Sequence, residues 1–270
     1  MEYLDTHSHL YMPQFDADRD AVIGRMRERG VSTIAVGVGL ESSRLAVELA
    51  EEHPDAVLGA TIGIHPTDTH EAFRRDSFEK LLSSGRVVGV GECGLDYFRE
   101  PREAAFPEQQ ERFAEQIAFA LDFDLPLMLH VRPSKGADDA HEDALRMLED
   151  AARDASTRGS TLRGTAHFFT GSRTMAERYW ALGFATSFPG VVTFAPELAQ
   201  VVRAAPADLM LAETDAPFAA PIPHRGERNE PAFVADTVAG IAAIRGEDLQ
   251  ALQERLVANG QRIFGVSYGI

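Results

Sequence analysis

Eight short apolar runs, each followed by a longer amphipathic stretch, recur along nearly the whole of this chain. The runs are rich in Val, Ile, Leu and Gly and read as buried strands, whereas the stretches between them carry apolar residues at helical spacing. Such alternation builds a parallel sheet with helical crossovers. Strands are expected near 2–6, 31–38, 57–64, 86–92, 126–131, 162–168, 183–188 and 208–214. Eight units in 270 residues predict a single domain over residues 1–270, a (β/α)8 TIM barrel with its active site at the carboxyl ends of the strands. An open doubly wound sheet would instead gather its ligands at one switch point.

Six residues able to bind metal fall at the ends of these runs: His7 and His9, Glu92, His130, His167 and Asp215. His7 and His9 stand two apart in YLDTHSHL, and on a strand that spacing turns both imidazoles to one face. Glu92 closes RVVGVGE, His130 closes LPLMLH, His167 closes TLRGTAH, and Asp215 closes ADLMLAETD. Four histidines and two carboxylates without thiolates suit Mg, Mn, Zn, Fe or Ni and do not choose among them, with Mg, Mn or Zn expected. One ion uses four or five ligands, so six candidates imply two ions bridged by a carboxylate, able to stabilise both the attacking and the leaving oxygen of a phosphoryl group. Glu92, on a central strand, is the expected bridge, and Asp215 is the expected acceptor of the attacking water's proton. His53, His70 and His141 are read as solvated.

Composition narrows the function classes. A net charge of −16 argues against a protein that grips duplex DNA through a basic face. Cys93 is the only cysteine and is read as a small residue beside the site. No run approaches the roughly 18 apolar residues of a membrane span, so a cytoplasmic protein without a membrane or obligate protein partner is expected. The stretch FPEQQERFAEQIAFALDFD reads as a helix with Pro107 in its first turn, and EDLQALQERLVANGQRIFG as a last helix breaking near Gly260.

The stretches DTHSHL, GIHP, GECGLDY, HFFTG and ETDAPFAAPIPHRGERNEP resemble those of the TatD family of metal-dependent deoxyribonucleases. The resemblance runs from about residue 3 to the C-terminal helix, and the stretch from Glu213 is its most specific part. It implies a TIM barrel, a divalent-metal centre and hydrolysis of DNA phosphodiesters, often from the 3′ end. The positions matching the family's ligands are the same six. His65 in GIHP matches a family position and is expected to contact a phosphate or leaving group. After His130 this chain reads HVRPSKGADDA where many members place a short Ser or Thr, Arg and an acid, so the contacts of that loop differ.

Arg132 and Lys135 after one ligand strand, and Arg225 and Arg228 after Asp215, are expected to hold the substrate, because guanidinium forks match phosphate oxygens. Glu213, two residues before Asp215, is expected to orient a water or a ligand. Phe98, Phe169 and Phe218 start loops where rings can stack on bases, although packing under loops is their simpler use. DNA or a small phosphodiester is the expected substrate. Hydrolysis of an amide, a lactone or an aminoacyl-tRNA ester shares the ligands. The barrels that act on such substrates often bridge their metals with a carboxylated lysine, and neither Lys80 nor Lys135, the only lysines here, ends an expected strand. A non-enzymatic metal-binding scaffold would be marked by lost ligands, and all six are present.

Overall fold

The computed structural model describes residues 1–68 and 71–267; His70 lies outside them. Among these residues the strands are β1 (Tyr3–Ser8), β2 (Val31–Val36), β3 (Val57–Ile62), β4 (Val87–Asp96), β5 (Leu127–Arg132), β6 (Gly164–Ala166), β7 (Ala185–Phe188) and β8 (Met210–Ala212). They pair in sequence order, every pair parallel. The helices are α1 (Arg19–Glu28), α2 (Leu40–Glu52), α3 (Arg75–Leu81), α4 (Arg102–Asp122), α5 (Asp139–Thr157), α6 (Arg173–Ala181), α7 (Ala199–Ala204), α8 (Val234–Arg245) and α9 (Leu249–Phe264). Each expected strand is present, because a strand covered on both faces reads as an unbroken apolar run.

The barrel closes just past the end of β8. Asp215 N–H donates to the His7 carbonyl at 2.9 Å and His9 N–H to the Ala216 carbonyl at 2.8 Å, so the closing bonds alternate with three of the expected ligands. Beneath that seam the buried Asp5 carboxylate accepts from Thr214 N–H (2.8 Å), Thr214 Oγ1 (2.7 Å) and His7 N–H (3.2 Å). Burial pushes its carboxyl up to about 8.

Leu4, Ile34, Val36, Leu58, Met128, Ala185 and Leu211 pack as one cluster. They come from six strands, several of them not neighbours, and only a barrel's interior brings such side chains together. Ile263, Phe264 and Val266 stop this layer from the end of α9. That helix runs unbroken through Gly260. The expected break is absent because Gly260 serves packing: a Cβ there would lie 2.6 Å from Leu4 Cδ2. Likewise α4 starts one turn earlier than its Pro107 suggests, leaving that proline inside the helix.

One strand is longer than its run. β4 continues past Glu92 to Asp96, where Gly94, Leu95 and Asp96 pair with His130, Val131 and Arg132. Glu92 therefore sits within a strand, with Asp96 four residues on and on the same face.

Candidate metal centre and active site

The six expected ligands meet at the mouth of the barrel. His7 and His9 Nε2 lie 3.2 Å apart. Glu92 Oε2 stands 3.4 and 3.6 Å from them, and Asp215 Oδ1 3.6 and 3.4 Å. Ligands about 2.1 Å from a common ion stand about 3.4 Å apart at tetrahedral angles, so this quartet has the spacing of a coordination shell. The other carboxylate oxygen of Glu92 faces a different group: His130 Nδ1 at 2.7 Å, His167 Nε2 at 2.9 Å and His65 Nε2 at 3.4 Å. Between the two groups the His7 and His167 rings stack at 3.8 Å.

The outward nitrogen of each ring decides what the inward one can do. His9 Nδ1 donates to the Val36 carbonyl (2.8 Å), His167 Nδ1 faces Glu213 Oε1 (3.2 Å), and His130 Nε2 faces Asp96 Oδ2 (3.1 Å). Each has an acceptor behind it, the arrangement of a metal-binding histidine, whose cavity-facing nitrogen gives up its hydrogen when it takes a metal. His65 is wired the other way. Its Nδ1 accepts from Thr67 N–H at 3.2 Å, which leaves the hydrogen on Nε2 and makes the cavity-facing atom a donor. Burial, with His130 nearby, holds His65 neutral by lowering it to about 4. A neutral N–H donor suits an oxygen of a substrate, the role expected of this residue.

Buried charge is balanced within the cluster. Burial alone would raise Glu92; the His167 and His65 imidazoles and hydrogen bonds from His130 and His167 outweigh it and hold the carboxyl well below the ordinary range. Burial would lower His167, but the Glu92 and Glu213 carboxylates raise it well above the ordinary imidazole value. His7 Nδ1 and Glu213 Oε2 are buried without hydrogen-bond partners. Imidazole nitrogens and carboxylate oxygens converging in this way fit a divalent cation, and Cys93, buried with Sγ toward the Val90 and Met128 carbonyls, adds no thiolate.

The chain turns sharply where ligands leave the barrel. Asp215 has φ +56° and Phe168, directly after His167, φ +46°. Left-handed conformations in such residues are uncommon and gather at functional sites. Above them opens a cavity of about 730 Å3, lined by five of the six ligands together with His65, Arg99, Arg132, Phe168 and Phe218.

Not every expected contact faces this space. Arg132 lines it, but Lys135, Arg225 and Arg228 do not. Arg228 forks onto Asp18 at 2.7 Å through both amino groups, and Arg225 lies over the Phe194 ring. Glu213 is wholly buried under His167 and also accepts from Phe168 N–H at 2.6 Å, so it holds a ligand and does not touch the cavity. His141 is no surface residue: it is buried between α5 and α6 with Nδ1 3.3 Å from Tyr179 Oη. Phe169 packs in the core, whereas Phe98 and Phe218 stay about half exposed. Asp96 and Arg99 were missed. Asp96 had a signal, since GECGLD places it two strand repeats beyond Glu92; Arg99 had none, because its place depends on the loop's path.

Comparison with known proteins gives a consistent set of likenesses. The family described as TatD related DNase matches residues 4–265. The uncharacterized metal-dependent hydrolase YabD of Bacillus subtilis is 34% identical over 271 residues, covering 97% of this chain and 99% of that protein. The 3′-5′ ssDNA/RNA exonuclease TatD of Erwinia amylovora is 34% identical over 273 residues, with coverage of 97% and 99%. Among solved structures, that of YjjV, a TatD homolog of Escherichia coli K12, superposes with a TM-score of 0.85 at 27% identity, covering 98% of this chain and 99% of that one.

Proposed function

The chain belongs to the TatD-related DNase family of metal-dependent hydrolases, and on that premise we propose that its barrel mouth hydrolyses phosphodiester bonds at the 3′ ends of single-stranded DNA, using two divalent ions, Mg, Mn or Zn, that His7, His9, Glu92, His130, His167 and Asp215 would hold. The observation that carries the reading is the two-sided carboxylate, with Oε2 toward His7, His9 and Asp215, and Oε1 toward His130 and His167. The Erwinia relative's exonuclease description favours a phosphodiester over an amide, lactone or aminoacyl ester. A strand end suits a cavity at the barrel mouth and the −16 charge better than duplex DNA laid along a basic face.

When bound, the ions supply positive charge for the attacking and leaving oxygens and make water easier to deprotonate. Asp215, open to the cavity, takes the proton of the attacking water. His65 donates its Nε2 hydrogen to an oxygen of the phosphoryl group, and Asp96 and Glu213 keep His130 and His167 in register. A cytoplasmic setting fits one buried cysteine and, among the described residues, no helix long and apolar enough to cross a membrane.

The test is metal-free protein reloaded singly with Mg, Mn or Zn and given end-labelled single-stranded DNA beside a lactone and an N-acyl amino acid. Shortening of the DNA from its 3′ end is expected. Asp215→Asn is expected to keep the fold and most of the metal while slowing turnover by about 10³-fold, within the usual range for a lost general base. Hydrolysis of the lactone or the N-acyl amino acid alone would overturn the reading.

A further inference from the structure

The cavity lining carries two arginines beside its ligand-type residues. Arg99, on the loop that follows β4, and Arg132, the last residue of β5, are its lining arginines, and neither guanidinium pairs with a carboxylate among the described residues. Asp68 is the lining's single acid outside the ligand set. Beside them Phe98 leaves 52% of its surface exposed, and the Arg132 guanidinium lies 3.8 Å over its ring. In a chain of −16 net charge, two arginines with no carboxylate partner among the described residues and a half-exposed ring beside this cavity are explained by neither ion pairing nor core packing.

Their placement is tied to the metal centre. Asp96 Oδ1 accepts from Phe98 N–H at 2.9 Å and from Arg99 N–H at 3.1 Å, while its Oδ2 faces His130 Nε2 at 3.1 Å. One buried carboxylate thus sets a ligand histidine and the loop carrying the ring. Any group resting on that loop is held in register with the reacting atoms.

We propose that Phe98, Arg99 and Arg132 form a nucleotide-binding ledge that makes the site selective for unpaired bases. A guanidinium lying over a phenyl ring extends the surface on which a base can rest and has N–H groups that can reach a phosphate. The base of the nucleotide next to the scissile bond rests on the Phe98–Arg132 stack, and the neighbouring phosphate lies between the Arg99 and Arg132 edges. A base in a duplex has its faces covered by its neighbours and cannot take this place. The inference rests on the phosphodiesterase reading above.

The experiment is a cycle between protein and substrate with the metal-loaded enzyme. Single-stranded oligonucleotides, intact or lacking one base at each of the three 3′-terminal positions in turn, are cut by the wild type, Phe98→Leu and Phe98→Tyr. Phe98→Leu is expected to raise KM for the intact strand about tenfold or more with little change in kcat, as loss of a base stack does. At one position the missing base is expected to cancel that penalty, and Phe98→Tyr to restore wild-type KM. Arg99→Gln and Arg132→Gln are each expected to flatten the dependence of log KM on log salt by about 0.7, the value for one phosphate contact on a single strand. An equal Phe98→Leu loss on every substrate, or none on any, overturns the ledge while leaving the nuclease intact. Wild-type enzyme that cuts no oligonucleotide removes the nuclease reading and the ledge with it.

Discussion

His9, His130 and His167 each give one ring nitrogen to an acceptor behind them, and this separates them from His65, which accepts at Nδ1 and so presents a hydrogen to the cavity. The difference is invisible in residue type and arises from what stands behind each ring. His141 makes the same point away from the site. Burial lowers it to about 4, so between pH 6.5 and 4 the unfolded chain takes up a proton that the fold refuses. Its contribution is therefore complete above pH 6.5 and is lost as pH falls toward 4, with a total on the order of 3 kcal/mol from 1.36 kcal/mol per unit. Urea unfolding of chelated protein at a series of pH values is expected to show wild type losing that much more stability than His141→Gln across this window. Parallel curves for the two proteins would show that His141 does not carry the effect.

At the level of elements, β4 does the most to assemble the site, since it carries Glu92 and Asp96 and pairs with the strand bearing His130. The close approach depends on Gly94, at φ +140°, where an added Cβ would collide with the His130 carbonyl oxygen. Gly94→Ala is expected to push β4 and β5 apart at His130 and to weaken divalent-metal affinity about 10- to 100-fold, as losing support of a ligand does. Metal titration reads this directly, and unchanged affinity would mean that the pair of strands absorbs the methyl without moving the ligand. The seam between β1 and the segment after β8 is the complementary element, because its closing hydrogen bonds fall on His7, His9 and Asp215 themselves.

Across the whole molecule, the ligands lie on strands β1, β4 and β5 and just past the ends of β1, β6 and β8, so a bound ion links distant parts of the chain in the folded state alone. Whatever binds the folded and not the unfolded protein stabilises it, by about 2.7 kcal/mol at a concentration of 100 times Kd. Removing the metal with a chelator is expected to lower Tm by roughly 5 °C or more for a chain of this size, and readdition to restore it. A Tm indifferent to metal would argue against ions spanning the strands. The −16 charge acts at this scale too, repelling polyanions from the general surface and leaving attraction to the mouth, where Arg99 and Arg132 stand.

How much of this was legible in the chain depends on the range of the interactions involved. Burial of a strand on both faces and the two-residue repeat of its side chains are local rules, and from them the eight strands, the barrel and the six candidate ligands that meet at its mouth could be read in order. Glycine at 260 and proline at 107 misled because their local meanings, a break and a first turn, gave way to packing against Leu4 and to a helix already under way. Arg228 turned from the cavity because Asp18, 210 residues earlier, lies beside it in space. The lack of a carboxylate beside Arg99 and Arg132 among the described residues, the exposure of Phe98 and the burial of His141 are likewise properties of neighbours brought together by folding. Periodicity along the chain specifies which way a side chain points within its own element, and what it then meets is set by closure of the barrel.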